Sequence, residues 1–432
     1  MWLKVSYMTM KMGKKNEHGL GYYLEYLFAL FTVLQANTLY YNNWGRQVTT
    51  FWLILCLSLM FGSLYNLYRK SVNIYPLMCL YVYYVPASIM LLAILFVFKD
   101  SINKQKYIMA FFIIPTCLFP FLYERCLKEK EYYFFNKIKN IILILASISL
   151  AGWTLSIFKV PTNSFISSSW ASTPTLPGYF HIHFIAQGST AFLGINIIRN
   201  TGIFVEAPMF SYVLCLGLLI ELFINKNRSS KFIILIFVFT IFTTASTTGV
   251  VIAAASLFYY KFIVKSSSVL FNLPIISLGL LLLIIFIKFM VYHKFDPNWA
   301  SSSSLRMNDY YAGYKAWSQH ILLGNGLDNN QSIINFMDPR RIVANADSPG
   351  ITGFSNGIMQ VLAFGGVALL TNFYIIPTIM GVLSSKKIAG VSLFCFILFC
   401  TTIVSTLFIY ITILSFFLIN FIISHSKGSK YI

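Results

Sequence analysis

Apolar residues dominate this chain in long runs, each closed by a short polar and mostly basic stretch. A helix needs roughly 20 mainly apolar residues to cross the hydrocarbon core of a bilayer. About twelve runs meet that measure. They are Gly21–Tyr41, Phe51–Tyr68, Ile74–Phe98, Tyr107–Tyr123, Ile141–Phe158, Phe204–Ile224, Phe232–Thr244, Gly249–Phe262, Leu270–Tyr292, Gly357–Leu383, Val391–Val404 and Leu407–Ser424. The stretch FTTASTTGVV is divided at Ser246, because its length suits a tight hairpin better than one helix. The last pair is divided at Ser405 for the same reason. The pattern predicts an all-α polytopic membrane protein, a single integral membrane domain over residues 1–432, with no visible internal repeat.

Composition supports lipid as the main solvent. The chain is 57% hydrophobic and 10% charged, against about 25% charged residues in soluble domains. The net charge of +19 would suggest nucleic acid in a soluble protein. Here most of the basic residues sit in short loops between apolar runs, so no nucleic-acid partner is expected. Alternating the spans puts Lys4, Lys11, Lys14, Lys15, Arg69, Lys70, Arg125, Lys128, Lys130, Lys137, Lys139, Lys226, Arg228, Lys231, Lys261, Lys265, Lys386, Lys387, Lys427 and Lys430 on the side of the N-terminus. Short cytoplasmic loops carry such an excess of Lys and Arg, so both termini are expected in the cytoplasm. The first run is long enough to remain as an anchor, and no cleaved signal is expected. Six of the seven cysteines lie inside apolar runs and Cys126 lies in an inner loop, so no disulfide is expected.

Two outer segments are too long to be simple connectors. The first spans residues 159–203 and contains PTLPGYFHIHF; the second spans residues 293–356 and contains SSSSLRMNDYY, LLGNGLDNNQ and SPGITGFSNG. Both are expected to be partly helical. Loops of this length commonly carry function. The first ends in RNTGIFVEAP, where Arg199 and Glu206 flank a glycine; the second holds Arg306, Asp309, His320, Arg340 and Arg341. Guanidinium groups bind phosphate through a planar fork and stay charged. A membrane-borne phosphate ligand near the outer leaflet points to a lipid diphosphate.

The succession RNTGIFVEAP, TTASTTGVV, SSSSLR, HILLGNGL and GFSNGIMQVLAFGGVALL resembles the O-antigen polymerase and ligase superfamily, over roughly residues 199–370. The resemblance implies a GT-C-like integral glycosyltransferase that uses neither metal nor cofactor. It implies a periplasmic site in a bacterial inner membrane, with undecaprenyl-diphosphate-linked oligosaccharide as substrate. A flippase and a chain-length regulator are implied as partners. Polymerases of this type join repeat units into O-antigen or capsule, and ligases move a finished glycan to the lipid A core. The ligases commonly open the helix after the long loop with a His-Asn pair; here the place reads Ser355-Asn356, which favours a polymerase. The arginine-to-glycine spacing that some polymerases carry in both loops is absent.

On this reading Arg199, Arg306 and one of Arg340 or Arg341 stabilise the leaving diphosphate. Glu206 is the first candidate for general base, followed by His320 and Asp309. Asn356 either contacts sugar or caps a helix, with the cap preferred. Plainer roles stand beside these: Arg199 as an interfacial anchor, His320 as a turn residue, and Glu25, Glu221 and Lys288 as snorkelling charges. Ligase and lipid-linked oligosaccharide flippase or other secondary transporter are the competing functions. A transporter places its ionisable groups at the midplane of repeated halves, whereas this chain gathers them in its outer loops.

Overall fold

The structure, a computed structural model, describes residues 19–97, 101–128, 130–168, 175–192, 195–225, 229–265, 300–339 and 353–428. The predicted run Leu270–Tyr292 and the candidate residues Arg340 and Arg341 lie outside the described residues.

Helix α1 (Leu20–Leu34) stops at a tight turn, and α2 (Leu39–Arg69) starts immediately after it. The expected span Gly21–Tyr41 is therefore broken. Asn37 takes a left-handed backbone (φ 56), a conformation that Asn tolerates better than most residues. Thr38 then closes the turn: its hydroxyl donates to the Leu34 carbonyl at 2.5 Å and accepts the Tyr41 N–H at 3.1 Å. α2 absorbs the polar stretch before Phe51, with one non-helical residue at Trp44. The next helices are α3 (Tyr75–Val97), α4 (Lys104–Leu127), α5 (Glu131–Ile157) and α6 (Ala207–Ile224). They are followed by α7 (Lys231–Thr243) and α8 (Thr247–Val264). The divide at Ser246 is observed: its side chain caps α8 by accepting the Gly249 N–H. Next come α9 (Ala300–Gln319), α10 (Asn330–Ile334), α11 (Gly357–Ser384), α12 (Lys386–Thr401) and α13 (Phe408–Gly428). The break around Ser405 falls between the last two.

Among the described residues, α2, α3, α4, α5, α6, α8, α11 and α13 are long and apolar enough to cross a membrane, and α1 and α7 are shorter apolar helices. The chain is a helical, multi-pass membrane protein. α6 is its axis, with 94% of its apolar window buried against 28% for α2. It packs among α5, α7, α8 and α12.

The first long segment departs from the expectation of partial helix. Its described residues form two small antiparallel sheets, β1 (Ser164–Ser167), β2 (Thr175–Tyr179) and β3 (His183–Phe184) in one, β4 (Ser189–Phe192) and β5 (Ile195–Ile198) in the other. Alternation explains β1: Ser164 and Ile166 are buried while Phe165 and Ser167 are exposed, the period of two that a strand imposes. Ile166, Leu176 and Phe184 pack with Leu39 and Val205 into a small core of their own. The second segment is helical in α9 and α10, as expected.

At the opposite end of the bundle Glu25 and Glu221 do not snorkel. Glu25 is buried and ion-paired with Arg125 and with Lys137 at 2.5 Å. Glu221 is buried and pairs with Lys139 at 2.9 Å. The helix α5 brings both lysines inward, so each carboxylate finds its counter-charge inside the bundle, where an unpaired charge would be costly.

Candidate functional site

The residues Arg199–Glu206 leave β5 and enter α6 along a path fixed almost atom by atom. Asn200 is fully buried; its amide donates to Thr243 Oγ1 at 3.0 Å and to Ser149 Oγ at 3.3 Å, tying the segment to α7 and α5. The Asn200 side-chain oxygen accepts the Gly202 N–H. Thr201 donates to the Phe184 carbonyl at 2.7 Å, which attaches β3. Gly202 sits at φ +55, where a side chain would be strained. Beyond it, the Leu39 N–H donates to the Ile203 carbonyl and the Val205 N–H to the Asn37 carbonyl, lacing the segment to the α1–α2 turn. Arg199 is thereby held above the α7–α8 hairpin, where its Nε donates to the Thr244 carbonyl at 3.2 Å.

The second segment is docked by backbone contact. The Gly366 backbone lies in a region that only glycine occupies with ease (φ 61, ψ −164). Val367 and Ala368 N–H groups donate to the Ile321 and Leu322 carbonyls, and Asn325 and Gly326 N–H groups to the Ala363 and Phe364 carbonyls. The Asn325 side chain is buried and donates to the carbonyls of Ala316 and Ala363. α9 is thus clamped along α11, and Arg306 projects from the early part of α9.

These two segments enclose one cavity of about 680 Å³, and Arg199, Glu206 and Arg306 all line it. Three helix starts also open onto it. Pro208 and Met209 come from α6, Ser246, Thr248 and Gly249 from α8, and Ser355 and Gln360 from the start of α11. Each helix N-terminus carries roughly half a positive charge. Among the described residues no carboxylate forms an ion pair with either arginine, although Glu206 is near enough to act on Arg199 through space. Burial lowers the pKa of Arg199, the Glu206 charge opposes that shift, and the Arg306 charge adds to it. Burial raises the Glu206 carboxyl above its ordinary range, against the pull of Arg199. The site is therefore a positive concavity with one carboxyl group tuned towards neutrality, a setting suited to an anion.

The remaining candidates fall elsewhere. Asp309 is buried and accepts the Ser355 N–H at 3.0 Å and its hydroxyl at 2.8 Å. It lies outside the cavity lining and holds in place a residue that belongs to it. Asn356 is the N-cap of α11, its side chain accepting the Met359 N–H at 3.1 Å. His320 is exposed, outside the cavity lining, and its carbonyl accepts the Gly324 N–H in a turn. Neutral polar residues that sequence reasoning passed over also line the cavity, including Asn37, Gln187, Ser211 and Asn330. Gln187 accepts the Ala207 N–H at 3.1 Å and so caps the start of α6. Their signal in the sequence is faint, because single polar residues beside apolar runs are common. Comparison with protein-family models and with curated proteins returns no match.

Proposed function

We propose that the chain is a polymerase of lipid-diphosphate-linked oligosaccharide repeat units, a metal-independent glycosyltransferase of GT-C-like architecture with its site at the periplasmic side of a bacterial inner membrane. One observation carries this reading. Two arginines from separate long segments line the same cavity, and among the described residues neither has a carboxylate partner. Two guanidinium groups in one cavity, with Glu206 as the one nearby carboxyl among the described lining residues, leave an excess of positive charge that a diphosphate matches in both charge and forked geometry.

In the proposed reaction an acceptor sugar hydroxyl attacks the anomeric carbon of the donor. The new glycosidic C–O bond forms as the bond to diphosphate breaks, and lipid diphosphate leaves with the bonding electrons. Arg199 and Arg306 stabilise that departing charge. The ionised Glu206 carboxylate accepts the attacking hydroxyl's proton, its raised pKa making it a stronger base than an exposed carboxylate. Undecaprenyl diphosphate is the carrier proposed, and a flippase and a chain-length regulator are the partners that such a route requires.

The test is genetic and chemical together. Arg199→Ala and Arg306→Ala are expected to abolish long glycan chains while leaving single repeat units on the acceptor and membrane abundance unchanged. Normal chain length in both variants overturns the reading. Loss of all glycan from the core, with long chains held on the carrier, identifies a ligase instead. Units trapped on the cytoplasmic leaflet identify a flippase.

A further inference from the structure

Helix α9 carries a row of exposed aromatic rings to which the arginine chemistry assigns no role. Its inner face is Asp309, Ala312, Gly313 and Ala316, spaced as one face of a helix. Ala312 and Ala316 are fully buried, and a Cβ on Gly313 would overlap the Met359 side chain at 2.6 Å, so this face lies close against α11. The outer face holds Met307, Tyr310, Tyr311 and Tyr314, which are 71%, 43%, 55% and 52% exposed. Single exposed apolar side chains are ordinary, but a contiguous set on one face marks a surface that binds something.

The row starts at the cavity. Leu305 and Arg306 line it, and Arg306, Tyr310, Tyr314 and Trp317 follow one another at intervals of four, four and three residues. That spacing stacks them along one edge of α9. Tyr310 to Trp317 covers roughly 10 Å of the helix axis. The far end of the row is fixed in place: Trp317 Nε1 donates to the Ile321 carbonyl at 3.0 Å, and the Tyr314 and Trp317 rings meet edge to face with centroids 5.9 Å apart. Tyr311 stands on the neighbouring edge, where Lys315 lies over its ring at 5.9 Å. Beyond Arg306 the row itself is neutral.

We propose that Tyr310, Tyr314 and Trp317 form a track for a neutral polyhydroxylated chain, the glycan that extends from the cavity, with sugar rings stacked on their aromatic faces. This assignment rests on the reading above, in that it takes a glycan as the bound chain. A sugar ring is apolar on its C–H faces and polar at its rim. Tyrosine and tryptophan match it with an apolar ring face and a polar tip, and they lose little conformational freedom on binding because each has only two side-chain torsions. A row of stacking faces holds a chain without reading its sequence, as rows of aromatic side chains do for single-stranded nucleic acid. The chain is thus kept near the cavity and free to slide as units are added, so the track acts on product length and not on bond formation. Glycan is favoured over the bilayer as occupant because the row continues the cavity edge from Arg306 and because its exposed rings are tyrosines.

The experiment replaces the full-length chain in its host by Tyr310→Ala with Tyr314→Ala and reads the length distribution of the glycan. The distribution is expected to shift to shorter chains, with repeat units still joined and membrane abundance unchanged. Affinity for farnesyl diphosphate, a short lipid diphosphate, is expected to be unchanged in nanodiscs. Tyr310→Trp with Tyr314→Trp keeps the stacking faces and is expected to retain long chains, which separates loss of the track from damage to α9. In nanodiscs holding a phospholipid with a diazirine on its acyl chain, trypsin cuts after Arg306 and Lys315 and leaves the tyrosines of α9 in one peptide, expected to carry no lipid adduct. Unaltered chain length in the double alanine variant, with extension abolished in Arg306→Ala, overturns the track and leaves the polymerase reading standing. Lipid adducts on that peptide assign the face to the bilayer and also overturn the track. Normal chains in Arg199→Ala and Arg306→Ala overturn both.

Discussion

At the residue scale, the cavity divides its side chains into those that act on a ligand and those that hold others in place. In the proposed mechanism Glu206 belongs with the first. Its carboxyl is raised above the ordinary carboxylate range by burial, so the working, ionised form is lost as pH falls through that raised value. Chain extension should therefore fail on the acid side at a pH above the usual carboxylate range. Glu206→Gln should abolish extension at every pH while retaining farnesyl diphosphate binding, and a pH–rate profile with radiolabelled donor checks both. Asp309 belongs with the second group, since its carboxylate is spent on Ser355. Asp309→Asn should lower the melting temperature and the rate together without moving the pH profile. A shifted acid limb in that variant would transfer the general-base role to Asp309. The arginines and Glu206 were legible in the sequence because charge is rare in this chain and was conspicuous in the loops. Gln187 and Asn330, which also line the cavity, were not legible, because single polar residues beside apolar runs are common.

At the scale of elements, the site depends on how α9 and the turn after it are fastened to α11. Gly366 has a backbone conformation that no L side chain adopts easily, and a Cβ there would overlap the Leu322 carbonyl. Gly366→Ala should cost about 1–3 kcal/mol of stability, measured by thermal unfolding in nanodiscs, and should release α9 with Arg306. Asn356→Ala removes a cap worth about 1 kcal/mol and should leave diphosphate affinity within twofold, since the cap lies outside the lining. A loss of binding as large as that of Arg306→Ala would reassign Asn356 to the ligand. Apolar periodicity revealed most of the helices at this scale, because the length of a run in lipid is dictated by bilayer thickness. It missed the turn inside Gly21–Tyr41, where Asn37 and Thr38 break the helix through local hydrogen bonds. It also missed the strands before α6, whose short alternating segments are hidden among serines and prolines.

For the whole molecule, the cavity at one end is balanced by buried ion pairs at the other. Glu25 pairs with Arg125 and Lys137 from two further helices, and Lys137 also lies over the Tyr22 ring at 4.3 Å. Glu221 at the far end of α6 binds Lys139 and accepts the Ser230 N–H at 2.8 Å, fastening the turn into α7. The central helix α6 is thus fixed by charge below and carries the cavity wall above. Removing one partner of a buried pair leaves an unpaired charge, at a cost of about 3–5 kcal/mol. Glu25→Ala should therefore melt well below the unaltered protein and lose α1 packing, as read by protease sensitivity of the first helix. The paired replacement Glu25→Gln with Lys137→Met should recover part of that loss, because the more buried cation, Lys137, goes with its partner while the partly exposed Arg125 keeps its charge without one. Chain extension in the double variant should then be close to normal, since both positions lie at the end of α1 and α5 remote from the arginines. A stable double variant that binds farnesyl diphosphate normally yet cannot extend chains would show that the ionic end takes part in turnover. That outcome would require motion of α6 as a unit, with its charged end released as the cavity opens.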